Sequence, residues 1–157
     1  MSRRAQIRMT DAEIEDFIER RMTGVLTTLD SSGWPHSTAM WFVPVFDDDR
    51  REIYMWSYRK SQKSVNAMLD PRSAFLVEEG EQYSDLKGVL VRARLRVLED
   101  FEQVADIGRR LHQRYVTPQT GQPPEEATLV EIERQARKRI GLVIPLDKVA
   151  TWDHSKL

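Results

Sequence analysis

The run from Trp34 to Phe46, WPHSTAMWFVPVF, sets the tightest limit on what this chain can fold into. It is apolar and aromatic, has no helix signal, and keeps its two prolines, Pro35 and Pro44, near its ends, where strands tolerate them. At ~3.3 Å per residue a single strand here would be roughly 40 Å long. A strand of that length must bend or coil.

Its neighbours read as further strands. Gly24–Leu29 is rich in β-branched residues, and Asp30-Ser31-Ser32-Gly33 has turn chemistry. Asp47–Arg51 is a polar hairpin loop; its adjacent carboxylates lack the alternate spacing of a calcium loop. Glu52–Tyr58 completes a meander. Ser73–Val77 is a strand, and Glu78–Asp85 is a loop. Lys87–Leu98 alternates, with Val89, Val91, Ala93, Leu95 and Val97 on one face and Leu90, Arg92, Arg94, Arg96 and Leu98 on the other. The arginine face is either solvated, the preferred reading, or covered by something acidic. Arg139–Thr151 is the last strand, followed by a tail from Trp152 to Leu157.

Helices are expected at 11–21, behind the capping box Thr10-Asp11-Ala12-Glu13, and at 61–69. A third runs through Phe101, Val104, Ile107, Leu111 and Tyr115 with Asp100 as cap, and a fourth over 127–138. Thr117–Glu126, with three prolines and a glycine, reads as a loop. About six strands and four helices in 157 residues predict a mainly β (α+β) fold. The expected form is a six-stranded antiparallel, nearly closed barrel with flanking helices, one domain over residues 1–157.

Twenty-four basic against 25 acidic residues argue against a nucleic-acid partner. No cysteine is present, which excludes disulfides, thiolate metal sites and a cysteine nucleophile. No apolar run approaches the ~18 residues a membrane span needs. The N-terminus has no apolar core after its arginines. The expectation is a cytoplasmic protein without membrane contact.

The segment Trp56–Pro71 carries the chemistry. A strand ends in a basic, hydroxyl-rich turn, and a short helix starts at Ser61. Cations at a helix N-terminus are unfavourable by ~0.3–1 kcal/mol unless an anion sits there. Lys60 and Lys63 beside those free amides therefore predict a phosphate site. Ser61 either caps the helix or donates to the phosphate, and Asn66, three residues after Lys63, is placed to orient it. His36, His112 and His154 form no metal-ligand pair, and no metal site is expected. No nucleophile elbow, dinucleotide fingerprint or Walker loop is present. No catalytic side chain is assigned; an enzyme of this kind would borrow its reactive group from a cofactor.

Four segments together resemble the pyridoxamine 5′-phosphate oxidase-like split β-barrel flavoproteins. They are Gly24–Leu29 with Gly33-Trp34-Pro35-His36; Ser37–Phe42; Ser57 with Ser61-Gln62-Lys63, Asn66 and Asp70-Pro71; and Tyr83–Val89. The resemblance implies a Greek-key barrel working as a homodimer, with the cofactor in a groove at the interface. It implies that His36, Ser37, Thr38, Ala39, Met40 and Trp41 run beside a flavin-type ring. It further implies that Ser57, Ser61 and Lys63 hold the phosphate with Asn66 in support, and that Arg139 and the tail around Trp152 and Lys156 reach the partner's site. Lys60 joins this set on charge alone. Ser37–Phe42 contains no basic residue, so the phosphate-binding arginine of the true oxidases is missing and vitamin B6 oxidation is disfavoured. Pro35-His36-x-x-x-Met40-Trp41-Phe42, with Tyr83-x-x-Leu86-Lys87-Gly88, is similar to the deazaflavin branch. That implies a coenzyme F420-dependent oxidoreductase acting on a small unsaturated or conjugated substrate. The alternatives are an FMN-dependent oxidase or reductase, and a non-catalytic carrier of a cofactor, haem or tetrapyrrole.

Overall fold

Three of the six expected strands bend from one sheet into another. The computed structural model describes residues 2–157. In chain order the strands are β1 (Gly24–Leu29), β2 (Pro35–Met40), β3 (Val43–Phe46), β4 (Arg51–Tyr58), β5 (Arg72–Glu79), β6 (Lys87–Arg94), β7 (Arg96–Leu98), β8 (Arg139–Pro145) and β9 (Lys148–Asp153). The helices are α1 (Arg3–Gln6), α2 (Asp11–Arg20), α3 (Gln62–Leu69), α4 (Phe101–Tyr115), α5 (Thr117–Thr120) and α6 (Glu126–Ala136). The first sheet has the order β2-β1-β5-β6-β9 and the second β3-β4-β8-β7, with antiparallel pairing throughout. The count of six strands is thus corrected to nine. The expected 34–46, 87–98 and 139–151 strands each break once, because their two halves pair in different sheets.

Each break has a local hydrogen-bond solution. At the first, Phe42 has no strand partner. The Tyr115 hydroxyl accepts from its N–H and donates to its C=O, both at 2.9 Å. A buried backbone pair is satisfied by a side chain instead of a ladder. At the second, the Leu95 N–H donates to the Pro71 carbonyl at 2.8 Å. At the third, the Leu146 N–H donates to the Arg51 carbonyl at 2.9 Å.

The inner faces of the two sheets share one core. Leu26, Phe75, Val77, Val89 and Val91 meet Ile53, Met55, Ile140, Leu142 and Ile144, and α2 adds Ile14, Phe17 and Ile18. Each such side chain, fully buried, contributes roughly 1.5–3 kcal/mol. Gly24 makes room for the Phe75 ring; a Cβ there would lie 2.2 Å from Phe75 Cζ. Helix α4 covers the outer face of the second sheet, with Ile107, Leu111 and Tyr115 against Val43, Val45, Tyr54 and Leu98. Helix α6 packs Ala136 beside Val104 and Ala105 of α4.

Two expected irregular segments are ordered. The 117–126 loop contains the single turn α5, with Pro118 in its first turn. The tail is not free: Trp152 and Asp153 belong to β9, and His154–Lys156 form a 3₁₀ turn. Lys156 Nζ donates to the Arg8 carbonyl at 3.0 Å and to Glu13 Oε2 at 2.7 Å. Asp153 is buried and pairs with Lys87 at 2.8 Å. Burial pushes its carboxyl up, but Lys87 and Ser155 outweigh that and hold it below the usual carboxylate range. Among the described residues, no helix is long and apolar enough to cross a membrane.

Candidate functional site

Strand β4, the turn after it and the start of α3 bring three serines together. Ser57 is buried at the end of β4. Its Oγ lies 2.8 Å from Ser61 Oγ, which in turn donates to Ser64 Oγ at 3.0 Å. Ser61 is the N-cap residue by backbone geometry (φ −68°, ψ 152°), yet its side chain caps no amide. The first turn of α3 holds no acidic residue. The positive end of this helix is left unanswered by the chain itself.

Lys63 sits half-buried in that first turn. Burial, and behind it the charge of Arg139, holds its ammonium below the usual lysine range. Among the described residues neither Lys63 nor Arg139 has a carboxylate within ion-pair distance. Arg139 pairs in register with Tyr58. Its guanidinium lies 3.9 Å from the Tyr58 ring centre and 4.5 Å from that of Trp56, so two rings hold it instead of an acid. Its Nε is buried, with no hydrogen-bond partner among the described residues. Alternation along β4 turns Trp56 and Tyr58 away from Ser57. Arg139 is therefore on the opposite side of the ladder and reaches Lys63 only through its field.

The other expected site residues divide. Lys60 is exposed and lines a hollow with Tyr58, Arg59, Arg137 and Lys138. Asn66 does not orient Lys63. It is buried, accepts from Gln62 Nε2 at 2.7 Å and donates to Thr28 Oγ1 at 3.1 Å, which ties α3 to β1. Thr28 pairs with His36, so the start of β2 lies one strand spacing, about 4.8 Å, from this tie. Along β2, His36, Thr38 and Met40 turn inward and are half-buried, while Ser37, Ala39 and then Trp41 are exposed. The six residues thus do not present one continuous wall of side chains. Ser37 Oγ is 2.8 Å from Thr27 Oγ1, and His36 Nε2 is 3.3 Å from Thr38 Oγ1.

Thr28 and Tyr115 were missed by sequence reasoning. Thr28 looked like an ordinary β-branched strand former, and Tyr115 like one more apolar position on the face of α4. Nothing local marks either one, because their partners are 38 and 73 residues away.

The start of α3 thus gathers two hydroxyls, a half-buried ammonium and free helix amides, with Arg139 on the far side of the ladder. They fit a phosphate group by charge and by hydrogen-bond type. The outward face of the first sheet adds an apolar row across the strands, Ala39-Val25-Leu76-Leu90-Ala150.

Comparison with known proteins identifies the family and the fold. A profile of the pyridoxamine 5′-phosphate oxidase family matches residues 10–141. The conserved hypothetical protein Rv2991 from Mycobacterium tuberculosis superposes with a TM-score of 0.85 at 35% identity, over 99% of this chain and 92% of that one. An F420 reductase gives 0.61 at 24% identity, over 86% and 94% of the two chains. HutZ, the haem storage protein from Vibrio cholerae, gives 0.66 at 16% identity, over 92% and 97%. The last two likenesses concern the fold alone. A search of curated proteins gives no match.

Proposed function

The chain belongs to the pyridoxamine 5′-phosphate oxidase family, and from that premise we propose an oxidoreductase that takes its hydride from reduced coenzyme F420. The observation that carries the reading is the uncapped start of α3, where Lys63 stands half-buried without a carboxylate partner beside Ser57 and Ser61. Under this reading the two hydroxyls and the ammonium hold the cofactor phosphate. Lys60 and Arg139 add positive charge from the flanks. Asn66 acts at one remove by fixing α3 on β1 through Thr28. The exposed edge at Ser37, Ala39 and Trp41 borders the ring, with the backbone of His36, Thr38 and Met40 behind it.

When bound in its reduced form, the deazaflavin would supply a hydride to an activated double bond of a small conjugated substrate; none of these residues is needed as proton donor if water serves. The chain's own residues bind the cofactor and orient it. Phosphate binding would place negative charge beside Lys63 and raise its ammonium back toward the usual range. The apolar row on the first sheet supports a homodimer, with the groove at its interface.

F420 is favoured over FMN by the lack of any basic residue from Ser37 to Phe42 and by the motif Pro35-His36-x-x-x-Met40-Trp41-Phe42 with Tyr83-x-x-Leu86-Lys87-Gly88. FMN is the second reading, because its phosphate also suits the same residues. Titration of the purified chain with F420 and with FMN decides between them. F420 is expected to bind the more tightly. Micromolar binding of FMN with none of F420 overturns the first reading. Turnover with enones and quinones separates both from a non-catalytic carrier.

A further inference from the structure

Trp41 presents a large ring to solvent where β2 ends, with 55% of its surface exposed. Yet this ring is fixed. It lies parallel to the ring of Tyr115, with centroids 4.5 Å apart and planes within 5°. Tyr115 is only 4% exposed. Its hydroxyl is clamped to both backbone groups of Phe42, the residue after Trp41, at 2.9 Å each. Behind it, the Arg114 guanidinium lies 5.7 Å from the Tyr115 ring centre and donates to the Glu19 and Arg21 carbonyls at 2.7 and 2.8 Å. A buried clamp thus holds an exposed indole in one orientation.

Such an arrangement is unfavourable in isolation. The exposed ring forgoes burial, and the stack forgoes rotamer freedom. It is what a planar ligand needs, since ring stacking rewards an aromatic face already fixed in place. The position agrees: exposure alternates through Pro35, Ser37, Ala39 and Trp41, so the indole continues the outward edge of β2.

We infer that Trp41 is a stacking platform for the planar conjugated ring of a bound small molecule, and that Tyr115 is a positioning residue acting through Trp41. This rests on the reading of β2 as one wall of the cofactor groove. Cofactor and substrate rings share the chemistry, and the test separates them.

Titrations of the full chain with FMN, coenzyme F420 and menadione, followed by tryptophan quenching and calorimetry, read the platform. Titration with inorganic phosphate reads the anchor alone. Trp41→Ala is expected to weaken ring ligands roughly three- to tenfold. It should remove the Trp41 share of the quenching and leave phosphate affinity unchanged. Trp41→Phe should recover most of the affinity. Tyr115→Phe should lower ring affinity at unchanged phosphate affinity; if it fails to fold, the exposed Trp41 variants decide alone. Quenching by FMN or F420 alone assigns the platform to the cofactor. Quenching by menadione only after cofactor is bound assigns it to the substrate. Unchanged ring affinity in Trp41→Ala, or an equal loss for rings and phosphate, overturns the inference. So does a change of oligomeric state at constant ring affinity, which gives the indole to a second copy. Failure of phosphate to bind, in native chain and Lys63→Ala alike, counts against the proposed anchor and leaves the Trp41 readout intact.

Discussion

Helices α2 and α3 begin with the same problem, a set of free backbone amides, and solve it in opposite ways. At α2, Thr10 Oγ1 accepts from the Glu13 N–H at 3.3 Å, and Glu13 Oε2 accepts from the Thr10 N–H at 2.7 Å. Asp11 adds negative charge in the first turn, and Lys156 completes the cluster. At α3 the N-cap serine turns away to other hydroxyls, no acid is present, and a lysine sits half-buried in the first turn. Where the chain needs only a helix, it supplies the anion itself. Where it leaves that position open and adds a cation, the proposed phosphate would complete it.

The largest expected effect breaks the open end. Lys63→Ala should cost about 1.5–3 kcal/mol of cofactor affinity, the range for a hydrogen bond to a charged group. Titration with F420 and FMN reads it, and unchanged affinity removes Lys63 from the anchor. Next comes the closed end. Thr10→Ala should lower stability by about 1 kcal/mol in urea unfolding and leave cofactor affinity unchanged. A third change converts one end into the other. Ser61→Asp gives α3 its own anion, so stability should rise by roughly 0.3–1 kcal/mol while phosphate binding falls. If both quantities move in the same direction, the comparison fails.

The smallest effect is the dependence on pH: near neutrality the Glu13 charge stabilises the fold and the Lys63 charge costs it stability, while stability rises with pH through both titrations. Lys156, and then the Thr10 backbone, hold the folded Glu13 carboxyl below its usual range. Its contribution is therefore complete above the unfolded value and fades as pH falls through the folded one. Glu13→Gln should lower the melting temperature near neutrality, and that difference should shrink in acid. The Lys63 ammonium is also lowered, so between its folded value and the ordinary lysine range the unfolded chain binds more protons. Stability rises with pH through that window. Lys63→Met should melt slightly above the native chain near neutrality, and that gain should shrink in alkali. Saturating phosphate should erase it sooner.

The capping box was legible because Thr10, Glu13 and the apolar residues between and after them lie within one short window. The meeting of Ser57 and Ser61 at the start of α3 was legible for the same reason: they are near neighbours in the chain. The breaks were not. Nothing in Met40-Trp41-Phe42-Val43 differs locally from a continuous strand, and only pairing with distant β1 and β4 divides it. Asn66 deceived by proximity. A spacing of three suggested Lys63, but the buried Thr28 hydroxyl, 38 residues away, was the better partner for a side chain that has lost its water.

The three broken strands have one more consequence, for how errors are kept out. In a strand that ends within its own sheet, slipping by one residue spoils that sheet alone. Here β2, β6 and β8 run on through a bend of two residues or fewer into β3, β7 and β9 of the other sheet. A slip in either sheet is transmitted through the bend, and there it turns every following side chain to the wrong face. Each sheet thereby proofreads the alignment of the other.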